Sequence, residues 1–180
     1  MIIEAPRELS ETDPKHDAVD VTRLLEGVSK TVRSTRYCWL GTASEDGLAN
    51  VRPMGRLLPE AGEGNDAWSI VFFTDSRSHK AADIRRNSRV TLVFQHDADD
   101  AFVAMTGKAN LVESKSDVDR RWKDAYNAFL PSPEDREHVV FVDVDIERME
   151  LWIRGVTPEP FGFHTTKLER DSDRGWRVAG

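Results

Sequence analysis

"IVFFTDSRSHKAADIRRN", residues 70–87, sets an apolar run directly against a cluster of cations in an otherwise acidic chain. Ile70 to Thr74 is rich in aromatic and β-branched residues and predicts a buried strand. The stretch after Ser78, roughly His79 to Asn87, predicts a helix, with Ala81, Ala82 and Ile84 available to pack. Ser78 stands at the N-cap position, so its hydroxyl and the following backbone N–H groups converge at the helix start. The helix dipole is positive there and favours acidic residues, yet this chain supplies His79 and Lys80. Each exposed cation so placed costs on the order of 0.3–1 kcal/mol. A bound anion reverses that sign, because the N–H groups, the dipole and the ammonium then act on one negative group. An ammonium and a phosphate about 4 Å apart attract by roughly 4 kcal/mol at an effective dielectric of about 20, which exceeds the dipole penalty. On this stretch alone a solvated basic helix stays open as the alternative, since Arg85, Arg86 and Arg89 follow.

The chain around it has 180 residues and a formal net charge of −7. That length suits one domain with a core of its own. We expect residues 1–16, polar and with two prolines, to form a flexible N-terminal arm, and residues 17–180 to form a single domain. The acidic balance argues against nucleic acid as a partner. No run approaches the roughly 18 apolar residues that span a bilayer, and the start lacks the n- and h-regions of a secretory signal. Cys38 is the single cysteine, so no internal disulfide forms, which fits a cytoplasmic protein. A basic patch on such a background points to a small anionic ligand.

Along the chain, "DVTRLLEGVSKTV" spaces Leu24, Leu25, Val28 and Val32 as an amphipathic helix. "RYCWLGT" and "LANVRPMGRLL" predict two strands joined by a tight turn at "SEDG", in which Gly47 is free to take positive φ. Pro53 marks an edge or bulge, where a ladder N–H is not needed. "RVTLVFQ" and "AFVAMTGKANLV" follow as strands around the acidic turn "HDADD". "SDVDRRWKDAYNAF" predicts a second helix capped by Ser116, with Val118, Trp122, Ala125 and Phe129 near one face. "HVVFVDVDIERMELWI" is a long strand, and "FGFHTTKLERDSDRGWRV" a closing hairpin around "DSDRG". Six or more strands that do not alternate with helices predict an α+β fold, an antiparallel β-barrel with flanking helices.

Other chemistry is thin. "GEGNDA", Gly62 to Ala67, matches a loose dinucleotide-loop pattern, but a strand follows where that motif needs a helix. The five histidines include no pair at three- or four-residue spacing, so no metal site is expected. No Gly-x-Ser-x-Gly elbow occurs, and in "PSPEDREH" the residues Ser132, Pro133 and Asp135 cap a short helix. No catalytic side chain stands out, so any chemistry falls to a cofactor.

The ordered series "VRPMG", "FFTDSRSHK", "NSRVTLVF", "FVAMTGKANLV" and "MELWIRG" resembles the flavin-binding split-barrel superfamily that includes pyridoxamine 5′-phosphate oxidase. Within it, the likeness is to the bacterial general stress protein branch, over about residues 20 to 155. The resemblance implies a six-stranded split barrel and a homodimer holding FMN, or FAD, at the subunit interface. It implies that Arg52, Pro53 and Met54 line the isoalloxazine and ribityl chain, with Phe73 and Thr74 at the end of the next strand. Ser78, His79 and Lys80 match the Ser-Arg-Lys phosphate clamp, His79 standing where the oxidase has arginine. Trp152 would approach the flavin from the partner subunit. Phe102 stands where the oxidase has a flavin-contacting glutamine, and His164 lacks the arginine two residues before it. These departures argue against oxidation of a pyridoxine phosphate. The expected function is a flavoprotein with flavin-dependent oxidoreductase activity. The alternatives are a non-catalytic flavin-binding or storage module, or a relative that takes a deazaflavin or haem, for which His164 is the candidate axial ligand.

Overall fold

Residues 20–57 and 68–179 are described by the structure, a computed structural model. The expected arm, residues 1–16, and most of the loop before the third strand lie outside them. Helix α1 (Val21–Ser34) starts at Asp20, whose carboxylate accepts the Thr22 N–H at 2.9 Å. Leu24 and Val28 on its inner face are buried. At its far end the Val32 carbonyl accepts from the Thr35 N–H at 3.3 Å and from Arg56 at 2.7 Å.

Six antiparallel strands follow the predicted order: β1 (Tyr37–Ala43), β2 (Ala49–Gly55), β3 (Ser69–Asp75), β4 (Arg89–His96), β5 (Ala101–Val112) and β6 (Val139–Ile153). They pair as β2-β1-β4-β5-β6, and β3 pairs the first half of β6 from Asp75↔Val139 to Ser69↔Asp145. A bridge between Leu57 and Val71 links the end of β2 to β3 and closes the ring into a barrel. Along the second half of β6 the same edge is taken by β7 (Thr166–Arg170), which carries β8 (Trp176–Val178) in the expected closing hairpin. Gly47 takes φ +82° in the β1–β2 turn. At Gly107, where β5 shifts register, an added Cβ would lie 2.0 Å from the Asp145 carbonyl oxygen. Only glycine permits that approach.

Alternation fills the barrel. Leu40, Phe72, Leu92, Phe94, Val103, Met105, Val144 and Leu151 point inward and are fully buried. Outside β3 and β6 a second cluster forms, in which Phe73 lies among Phe141, Trp122, Tyr126 and Phe129. This cluster breaks the predicted second helix. Helix α3 spans only Lys115–Arg121, Trp122 is extended (ψ 132°), and a 3-10 turn covers Asp124–Ala128. The ring centroids of Trp122 and Phe129 both lie 5.9 Å from that of Phe73. A straight helix would set these two residues about 10 Å apart along its axis; the break at Trp122 lets both rings pack on Phe73. At its other end Ser116, the expected cap, sits inside α3, and Ser114 takes the N-cap position. The Ser132–Asp135 pair does cap a short turn, Glu134–Arg136.

The outer face of the other wall carries an apolar patch. Pro53, Trp39, Val93 and Ala104 form one row across β2-β1-β4-β5, with Val51 beside them and the pair Phe102↔Trp152 further along. Trp39 is 49% exposed and Val51 60%. Among the described residues, no helix is long and apolar enough to cross a membrane.

Candidate functional site

Helix α2 (His79–Arg86) begins where β3 leaves the barrel, and its first turn faces the inner side of β2. Ser78 caps it as predicted, its hydroxyl accepting the Ala81 N–H at 3.3 Å. The first backbone bond of the helix runs from the Ala82 N–H to the Ser78 carbonyl, so the N–H groups of His79 and Lys80 precede the ladder and are free to point outward. Asp75 accepts both the guanidinium and the backbone N–H of Arg77, which holds its carboxyl well below the usual range and occupies Arg77 as its partner.

Between α2 and the β1–β2 hairpin lies an open cleft of about 1030 Å³. Arg52, Ser78, His79 and Lys80 line it, together with Asn50 and Asp83. Lys80 Nζ donates to Thr74 Oγ1 at 2.9 Å, and that hydroxyl lies 3.4 Å from Ser78 Oγ. Among the described residues, no carboxylate pairs with Lys80. Burial, and then the neighbouring Arg52 guanidinium, pull its ammonium below the ordinary lysine range, against the weaker pull of Asp75.

The predicted residues divide. Arg52, Ser78, His79 and Lys80 meet in the cleft, and Thr74 supports Lys80 from the barrel wall. Met54 shares the Arg52 face of β2 but packs against the barrel core. Pro53 points to the opposite face, beside Trp39, and the Phe73 ring lies in the aromatic cluster outside β3. Trp152 stands on the outer sheet face, apart from the residues that line the cleft of its own chain.

Sequence reasoning missed the floor of the site. Asp83 is 5% exposed and takes an inward place on α2, while Ala82, expected to pack, is exposed at the cleft rim. Asp83 Oδ2 accepts from Thr42 Oγ1 at 2.8 Å and from Asn50 Nδ2 at 3.0 Å, and its Oδ1 accepts from Arg86 at 2.9 Å. Burial pushes this carboxyl up, but the bonds from Asn50, Thr42 and Arg86 outweigh it and hold the group below its ordinary value. The available signal was Asp83 between Ala82 and Ile84, with Thr42 and Asn50 equidistant from the turn that joins their strands.

The model of the family described as "Pyridoxamine 5′-phosphate oxidase like" matches residues 24–167. The chain belongs to this family. Among solved structures, a Clostridium acetobutylicum protein related to general stress protein 26 of B. subtilis is 16% identical, with a TM-score of 0.64. That match covers 82% of this chain and 94% of the other. A pyridoxamine 5′-phosphate oxidase-related, FMN binding protein from Nostoc punctiforme is 17% identical over 89% of this chain and 96% of its own, with a TM-score of 0.61. PhzG from Burkholderia lata 383, in complex with tetrahydrophenazine-1-carboxylic acid, is 15% identical with a TM-score of 0.61, covering 92% of this chain and 93% of its own. No curated protein matches the chain. At these identities the structures share its fold, the antiparallel split barrel read from the sequence.

Proposed function

We propose that the cleft binds a flavin through its terminal phosphate, FMN in the first place, or FAD. The observation that carries this reading is Lys80, a cation held by a neutral hydroxyl, beside Arg52 and at the positive end of α2. A phosphate placed there accepts from Ser78, from the N–H groups of His79 and Lys80, and from the ammonium itself. Its two negative charges balance cations that otherwise repel each other. The family is described as pyridoxamine 5′-phosphate oxidase like, and the Nostoc relative as FMN binding.

Arg52 then stands with Lys80 beside the phosphate and Met54 lies toward the sugar chain, with Thr74 steadying Lys80. The apolar patch around Trp39, Val51, Phe102 and Trp152 supports a homodimer, in which Trp152 reaches the flavin of the other copy. Bound flavin supplies hydride or single-electron transfer; the chain supplies position, charge and exclusion of water. The protein is then a flavoprotein with flavin-dependent oxidoreductase activity. Purification without added cofactor, followed by a visible spectrum and mass spectrometry of the released ligand, tests this. A flavin spectrum is expected. A colourless protein that also fails to take up FMN overturns the proposal, and competition among FMN, FAD, a deazaflavin and haem ranks the ligands.

A further inference from the structure

Asp83 presents a puzzle that flavin binding alone does not answer. A carboxylate is expensive to bury, yet α2 places one at an inward position next to Ile84, where an apolar side chain would pack. Its ligands come from three elements: Thr42 on β1, Asn50 on β2 and Arg86 on α2 itself. Arg52 Nη2 stands 3.8 Å from Asp83 Oδ2, beyond hydrogen-bond reach. Its Nη1 instead donates to Thr42 Oγ1 at 2.6 Å, and the Thr42 hydroxyl in turn donates to Asp83 Oδ2 at 2.8 Å. A hydroxyl has one donor and two acceptor sites, so this relay runs in one direction, from guanidinium to threonine to carboxylate. Each link ends on an ion, and such links are stronger than neutral ones.

We propose that Asp83 is a positioning residue: through Thr42 it holds the Arg52 guanidinium beside Lys80, so that the cleft presents two cations before any anion arrives. The inference rests on the anion reading of the cleft. Arg52 and Lys80 oppose each other electrostatically, as the influence of Arg52 on Lys80 shows. Without an anchor, Arg52 relaxes toward solvent and must be recovered when the anion binds. With the relay, its place is set during folding and less ordering is left for the ligand to impose. A simple staple between α2 and the hairpin would fix the helix without any consequence for Arg52.

The test has two readouts. In unliganded protein, nitrogen NMR of the Arg52 guanidinium should give resolved Nη signals, because rotation about the Cζ–Nε bond is slowed by the bond to Thr42. Thr42→Val and Asp83→Asn should collapse them, and Thr42→Ser should restore them. For ligands, Asp83→Asn should raise the Kd for FMN by about tenfold, the loss of roughly one charge-assisted bond, and leave riboflavin within about twofold. Thr42→Val should act in the same direction. Arg52 signals already averaged in the wild type, or unchanged in both variants, overturn the proposal. Equal losses for FMN and riboflavin, tracking a fall in Tm, also overturn it, since a staple would produce them. A wild type that binds neither flavin sinks the reading of the cleft, yet leaves the Arg52 signals to decide the brace.

Discussion

Lys80 and Thr74 are joined by a hydrogen bond of 2.9 Å across the turn that leads from β3 into α2. The ammonium donates to a neutral oxygen, so the bond fixes its position and leaves its charge uncompensated. Thr74 reaches it because period-2 alternation turns this residue inward, where it is buried.

Removing that charge should act on one ligand selectively. Lys80→Ala is expected to weaken FMN binding by about 1–3 kcal/mol, the range for a charge-assisted bond, and to leave riboflavin nearly unchanged. Titration of both flavins by fluorescence quenching measures the split. Equal losses would assign Lys80 a structural role.

Phe73 separates packing from binding. Its ring sits among Trp122, Tyr126, Phe129 and Phe141, outside the cleft. Phe73→Ala should destabilise the fold by about 3 kcal/mol, near the low end for an aromatic truncation because the site is half-buried. Denaturant unfolding reads that loss, while FMN affinity below the transition should stay within about twofold. A large loss of FMN affinity in folded protein would show that the ring contacts the ligand.

The proposed homodimer would form through the outer sheet face. Trp39→Glu puts a charge into the row of Pro53, Val93 and Ala104, and should convert a dimer to a monomer in light scattering after size exclusion. Because Trp152 would then no longer reach the flavin of the other copy, FMN affinity should fall as well. A dimer that survives the substitution places the interface elsewhere.

Cys38 links stability to alkaline pH. Burial pushes its thiol up from 9.0 to about 12. The unfolded chain therefore loses this proton at lower pH than the folded one, and above pH 9.0 it binds fewer protons. Stability from this group is complete below that point and is lost as pH rises toward about 12. Native protein at pH 8 should also resist iodoacetamide, and denatured protein should react. Cys38→Ser should flatten the alkaline decline in urea midpoints, and an unchanged decline would assign it to other groups.

The barrel and the helix start could be read from local pattern, since alternation, the Gly47 turn and the Ser78 cap each depend on a few neighbouring residues. What escaped depends on distant contacts. Trp122 leaves its helix because Phe73, far off in sequence, gathers three aromatic rings. Asp83 is buried because Thr42 and Asn50 meet it from another hairpin. Adjacent strand residues face opposite ways, so within one chain Pro53 and Phe73 lie across the sheet from Arg52, Met54 and Thr74.

A crystal structure of the protein with FMN shows where the phosphate lies. The phosphate is expected within hydrogen-bond distance of Ser78 Oγ and Lys80 Nζ, at the first turn of α2. FMN bound with its phosphate directed into open solvent, or with Lys80 still donating only to Thr74, would contradict it.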